Sequence, residues 1–179
     1  ANHILLQIIF LSAYALDGVA FSSEILVGEA IGQKRLQSFK KIVRSSLKLG
    51  FIFSSVIGIF FYLLGFFIVD LMTSLKSVRL ICYEYIVWIA VIPLISVSSY
   101  VYDGIFLGAA RGKEIRVAMT QSFAIFFICV IGLVPLMGNM GLWTSIIVFN
   151  VVRALTLWAK VDRIEASFSS NLSPNGSVS

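Results

Sequence analysis

Five apolar runs, at about 4–32, 49–71, 80–110, 117–137 and 142–159, take up most of this 179-residue chain and decide its fold class. Crossing the hydrocarbon core of a bilayer, about 30 Å thick, takes about 20 helical residues. A segment in hydrocarbon must satisfy its own backbone N–H and C=O groups, so the runs are expected as helices. The chain is 59% hydrophobic and 13% charged, against about 25% charged for a soluble domain. A soluble core cannot absorb that much apolar surface. The expected fold is all-α, a polytopic transmembrane helix bundle, and its first partner is the lipid bilayer. There is no basic n-region with a cleavage site at the start. Residue 1 is Ala, so the chain reads as the C-terminal piece of something longer.

Charge inside such runs is costly, by roughly 3 kcal/mol on insertion scales, and is kept where it faces a cavity, a partner or an ion. Asp103 lies inside the third run and is followed by Gly104, Gly108 and Gly112. Glycines four apart share a helix face and let a second backbone come close. Asp103 is therefore the candidate proton- or cation-binding carboxylate. The first run carries Asp17 and Glu24, two turns apart on a face with Tyr14, Phe21 and Gly28. Asp17, Glu24, Tyr14, Tyr100 and Tyr102 are candidates for lining a polar cleft, the tyrosines by hydrogen bonding or by stacking on an organic cation. Gly28, Gly32, Gly104, Gly108 and Gly112 are expected to pack helices. Pro93 is expected to bend the third run, which exceeds the length needed to cross.

The remaining polar residues set the topology. Residues 33–48 combine Lys34, Arg35, Lys40, Lys41, Arg44 and Lys48 with apolar positions at helical spacing, and read as an amphipathic helix on the membrane surface. Trp143 and Trp158 stand near opposite ends of the last run, as interfacial anchors do. If loops alternate sides, twelve basic residues fall on one side and only Lys76 and Arg79 on the other. That bias puts the 33–48 segment and the C-terminus in the cytoplasm, in a plasma or inner membrane. The Ser/Asn/Gly-rich tail, 167–179, is expected to be disordered. Its two Asn-x-Ser sequons then lie on the wrong side for glycosylation. The first and third runs should be parallel, and both contain Asp-Gly, at 17–18 and 103–104, a weak internal echo.

Other functions lack their residues. The basic residues lie between apolar runs, so no nucleic acid is expected. Cys82 and Cys129 are far apart and read as small packed thiols. With His3 alone and no HExxH, Ser/His pair or Cys cluster, no enzyme and no cofactor are expected.

The stretches Ala13-Tyr14-Ala15-Leu16-Asp17-Gly18 and Glu24-Ile25-Leu26-Val27-Gly28-Glu29-Ala30-Ile31-Gly32 resemble the MATE (multidrug and toxic compound extrusion) family, in its DNA-damage-inducible protein F type branch. Tyr102-Asp103-Gly104-Ile105-Phe106-Leu107-Gly108-Ala109, with Arg111 and Glu114-Ile115-Arg116, is similar to the same branch near its tenth helix. Glu29 departs from it, standing where the family commonly has Gln. The resemblance implies twelve helices in two six-helix lobes, exchanging H+ or Na+ against a small organic solute or drug. The five runs would then be helices eight to twelve, and the N-terminal lobe of the same polypeptide would be a partner. A flippase of a lipid-linked substrate is the alternative, but it would want a basic cleft. Arg153, the only basic residue within the runs, reads as a snorkelling or paired charge and not as a substrate contact. A non-transporting scaffold is the other alternative, against which the acids at membrane depth argue.

Overall fold

The computed structural model describes residues 1–170. The elements are α1 (Asn2–Gly32), α2 (Leu36–Met72), α3 (Lys76–Glu84), α4 (Ile86–Gly108), α5 (Gly112–Met137), α6 (Asn139–Trp158) and α7 (Val161–Ser170). Among the described residues there is no strand. Helices α1, α2, α4, α5 and the α6–α7 stretch are each long and apolar enough to cross a membrane.

Helix α4 is the centre of the bundle and packs against α1, α2 and α6. Its neighbours approach closely because small residues line the contacts. A Cβ on Gly104 or Gly108 would run into the backbone of α1 at Ala20 and Glu24. The matched order, 20 with 104 and 24 with 108, makes α1 and α4 parallel, as expected. On the other side, Gly50, Gly58 and Gly65 of α2 face Val97, Ala90 and Ile86 of α4, so α2 is antiparallel. Helix α5 buries only Ala118 and Ser122 and leans mainly on α6. The hairpin between them is tight: Gly138 has φ +58, and a Cβ on Gly141 would meet the Leu133 backbone.

Several expectations need correction. Gly32 and Gly112 have nothing within 4 Å of an added Cβ, so they pack no helix. Gly28 does lie on the α1–α4 contact, where a Cβ would stand 3.6 Å from the Gly108 carbonyl oxygen. Residues 33–48 do not form a separate surface helix, because α2 runs unbroken through 37 residues. Its buried stripe, from Phe39 through Ser46, Gly50, Ser54 and Gly58 to Val69, continues along the whole length. At its start the apolar face is taken by α7, with the Phe39 and Phe168 rings 5.5 Å apart. Lys40 and Glu165 pair there at 2.7 Å. Helix α7 also carries 167–170, where the disordered tail was expected to begin; the sequons and the rest of that tail lie outside the described residues.

The third run breaks at Tyr85 and not at Pro93. Tyr85 (φ −102, ψ 4) closes α3 by donating to the Cys82 carbonyl, and Pro93 sits inside α4. Polar Lys76, Arg79 and Glu84 give α3 a different character from α4. Arg79 holds the α2–α3 turn by bonding the Thr73 and Asp70 carbonyls at 2.7 and 2.9 Å and the Asp70 carboxylate at 3.1 Å. Tyr83 donates to the same carboxylate, and that hydrogen bond pushes its hydroxyl above the ordinary tyrosine range. Trp143 is buried and packs near Tyr85, so it is no interfacial anchor. Trp158 is exposed. Cys82 is buried and Cys129 half-buried, both as free thiols.

Helices α1 and α4 end in the same way. Lys34 and Ala110 both have φ +54. Lys34 N–H donates to Ile31 and Arg35 N–H to Ala30, and Ala110 and Arg111 repeat the pattern onto Leu107 and Phe106. This is the Schellman cap, whose left-handed residue is usually glycine. The Asp-Gly pairs lie at different distances from the two caps, and Gly18 meets nothing where Gly104 is in contact. The echo is therefore not in register. A left-handed non-glycine residue costs about 1 kcal/mol. Ala110→Gly and Lys34→Gly are each expected to stabilise the fold by about that amount, read as a higher unfolding midpoint in detergent.

Candidate functional site

A polar cleft with a volume of about 260 Å³ lies where α1, α4 and α6 meet. Helix α1 contributes Asp17, Phe21 and Glu24, helix α4 Tyr100 and Asp103, and helix α6 Arg153; Ile115 of α5 closes one side. The close approach at Gly104 and Gly108 brings the acids of α1 to the same cleft as Asp103. A bulkier α4 face would hold them apart.

Asp103 is paired. A guanidinium nitrogen of Arg153 donates to its Oδ2. The two side chains are only 13% and 15% exposed. The pair is single-pronged: Asp103 Oδ1 and Arg153 Nε are both buried without a hydrogen-bond partner. One turn away, the single Ser99 hydroxyl proton is shared between the Ser96 carbonyl at 2.7 Å and, more weakly, Asn150 Oδ1 at 3.2 Å. Asn150 in turn donates to the Ile146 carbonyl at 2.9 Å. This buried link sets α4 against α6 so that Arg153, one turn beyond Asn150, reaches Asp103. Among the described residues, Asp17 and Glu24 have no ion-pair partner. With every group ionised the cleft holds three negative charges and one positive, a surplus that suits a cation. Among the described residues no three His, Cys, Asp or Glu side chains converge as a metal-binding group.

The expected residues divide. Asp103, Asp17, Glu24 and Tyr100 come together in the cleft. Tyr14 is 73% exposed and does not line it. Tyr102 is buried in the apolar core with Leu16, Val101 and Phe106. It is one residue from Asp103, and a helix turns about 100° over that step. Arg153, expected as a snorkelling or paired charge, is paired, and its partner is Asp103; what was not expected is its place beside the acids of the cleft. An Arg three residues after an Asn inside an apolar run was the available signal.

The family model MatE matches residues 1–137. The chain is 32% identical over 158 residues to DNA damage-inducible protein F of Escherichia coli (strain K12). That match takes in 88% of this chain and 34% of that protein, so the chain spans about a third of the length of this curated relative. The fold is similar to a solved structure described as the inward-facing conformation of a multidrug resistance MATE family transporter of the MOP superfamily. The TM-score is 0.77 at 17% identity, covering 94% of this chain and 40% of that one.

Proposed function

The chain belongs to the MatE family, and from that premise we propose that it forms part of a secondary active transporter exchanging H+ or Na+ for a small organic solute or drug. The chain is an integral, multi-pass membrane protein. In the proposed arrangement the end of the bundle that carries Lys34, Arg35, Arg111, Lys113 and α7 faces the cytoplasm, following the basic-residue bias. Asp103 is the proposed site of the coupling ion, and Asp17, Glu24 and Tyr100 line the path of the solute.

The observation that carries this reading is the shared cleft: three carboxylates and one guanidinium line a single space between helices that are long and apolar enough to cross a membrane. Ionisable groups within such helices mark ion and substrate pathways. The charge of the cleft counts against a flippase of an anionic lipid-linked substrate, because three carboxylates outnumber its one basic group.

Asp103→Asn tests the reading, because asparagine keeps the shape and can still accept a hydrogen bond from Arg153. In cells expressing the complete coding region, efflux driven by an H+ or Na+ gradient is expected to fall to the level seen without the gradient, because asparagine cannot exchange the coupling ion. Dye-efflux rates measured separately under each gradient check it. Unchanged rates under both would remove Asp103 from the mechanism.

A further inference from the structure

We propose that Arg153 is a tethered counter-ion that competes with the coupling ion for Asp103. It occupies the carboxylate when the site is empty, and it is displaced toward Asp17 and Glu24 when the ion arrives. The inference rests on the reading of Asp103 as the ion site and adds a partner that must leave before the ion can bind.

Three features of the cleft support an exchangeable pair over a permanent one. First, the pair uses one prong only. A carboxylate and a guanidinium committed to each other for structure usually bond through two parallel hydrogen bonds, and here Asp103 Oδ1 and Arg153 Nε are both left without a partner. Second, the released guanidinium has somewhere to go. Asp17 and Glu24 border the same space and have no basic partner among the described residues. Third, the pair is placed from outside. The buried Ser99–Asn150 bond holds α4 against α6 one turn away, so Arg153 can release Asp103 without the helices losing their register.

The charged and titratable groups facing Asp103 are Asp17 and Glu24 from α1, Tyr100 from α4 and Arg153 from α6; α5 presents only Ile115. When a proton or Na+ neutralises Asp103, the attraction holding Arg153 there disappears while the pull of the α1 acids remains. When the ion leaves, Arg153 returns and the bare carboxylate is not left alone in a poorly solvated space. The charge at Asp103 is thus compensated in both states by a group that belongs to the protein.

The test uses the complete protein with Arg153→Gln and Arg153→Lys. Glutamine removes the competing charge but keeps a hydrogen-bonding group; lysine keeps a charge on a different reach. Two readouts are taken: the ion concentration giving half-maximal efflux, and labelling of Asp103 by a hydrophobic carbodiimide, which reacts with protonated carboxyl groups, followed by mass spectrometry across pH. With Arg153→Gln, the ion concentration for half-maximal efflux should fall about tenfold or more, and the labelling midpoint should move up by about one pH unit or more, as expected on removing a neighbouring opposite charge. Maximal efflux should fall, because the emptied carboxylate has lost its partner. Arg153→Lys should lie between wild type and glutamine in both readouts. If both variants show the wild-type ion dependence and labelling profile while Asp103→Asn still abolishes coupled efflux, the counter-ion role is overturned and the ion-site reading survives. If Asp103→Asn leaves coupling intact, the underlying reading itself has failed. Should Arg153→Gln not accumulate in the membrane, Arg153→Lys alone decides by the same two readouts.

Discussion

Replacing Gly104 with leucine is expected to stop α1 from closing on α4, and alanine alone should destabilise the bundle by about 1–3 kcal/mol. The reason is what the new atom meets. A Cβ at this position lands on the Ala20 carbonyl and Cα. These are backbone atoms in the middle of a helix, and no rotamer change clears them. The two helices have to separate along their length, which also loosens Gly108 against Glu24. Function should fall further than stability, because α1 carries Asp17 and Glu24 into the cleft and any separation withdraws them from Asp103. Gly18→Ala is the matched control. Nothing lies within 4 Å of its Cβ, and alanine in a helix interior gains about 0.5–1 kcal/mol over glycine. The same chemical change should therefore have opposite signs at two positions of similar sequence context. Thermal unfolding in detergent, together with efflux from cells, checks both. Equal effects at 18 and 104 would contradict the close approach.

The second large effect concerns the ion pair. Asp103→Leu takes away the hydrogen-bonded partner of Arg153. Because Asp17 and Glu24 border the same cleft and can take up the guanidinium, the loss should stay toward or below the lower end of the about 3–5 kcal/mol for breaking a buried pair. Adding Arg153→Met to Asp103→Leu should restore most of that loss, because an apolar pair of similar volume is often as stable as the ionic one. Ion-coupled efflux should stay absent in the double variant. Recovery of stability without recovery of transport separates what the pair does for the fold from what it does for function. A full double-mutant cycle on unfolding midpoints gives the coupling energy directly. A coupling near zero would mean that the two side chains do not depend on each other.

The spans and the acidic positions could be read from the sequence because hydropathy is a local property. A window of twenty residues contains all the information needed to place α1, α5 or α6 in a membrane. Asp103 was conspicuous for the same reason, as a carboxylate among apolar neighbours. What could not be read was which neighbour each face would meet. Residues 33–48 have the pattern of a helix with one apolar face, and that pattern is the same whether the face rests on lipid or on another helix. Here it rests on a core built with α1, α4 and α7, the last of which lies more than 120 residues further along the chain. Tyr14 and Tyr102 show the same limit. Being close in sequence to an acid does not point a ring into the cleft, and the 100° step from Asp103 turns Tyr102 into the core. Pro93 was expected to bend the third run because proline removes a backbone bond. The interruption at Tyr85, where the polar face of α3 ends, is a second feature of that run, and no proline marks it. The partnership of Asp103 with Arg153 spans 50 residues and rests on the register that Ser99 and Asn150 impose, and no local pattern reports that register.

Helix α2 has a mechanical consequence. At 37 residues it is a rod about 55 Å long, far longer than the roughly 30 Å of hydrocarbon it crosses. Its first turns, with Lys40, Lys41 and Arg44, must therefore stand clear of the bilayer on a stiff arm, and α7 is strapped to that arm through Phe168 and Glu165. Each degree by which the rod pivots about its midpoint carries its tip about half an ångström. Small tilts inside the membrane are thus magnified at the water-exposed end, where a pair of spin labels on Lys41 and a static position would read them out as distance changes.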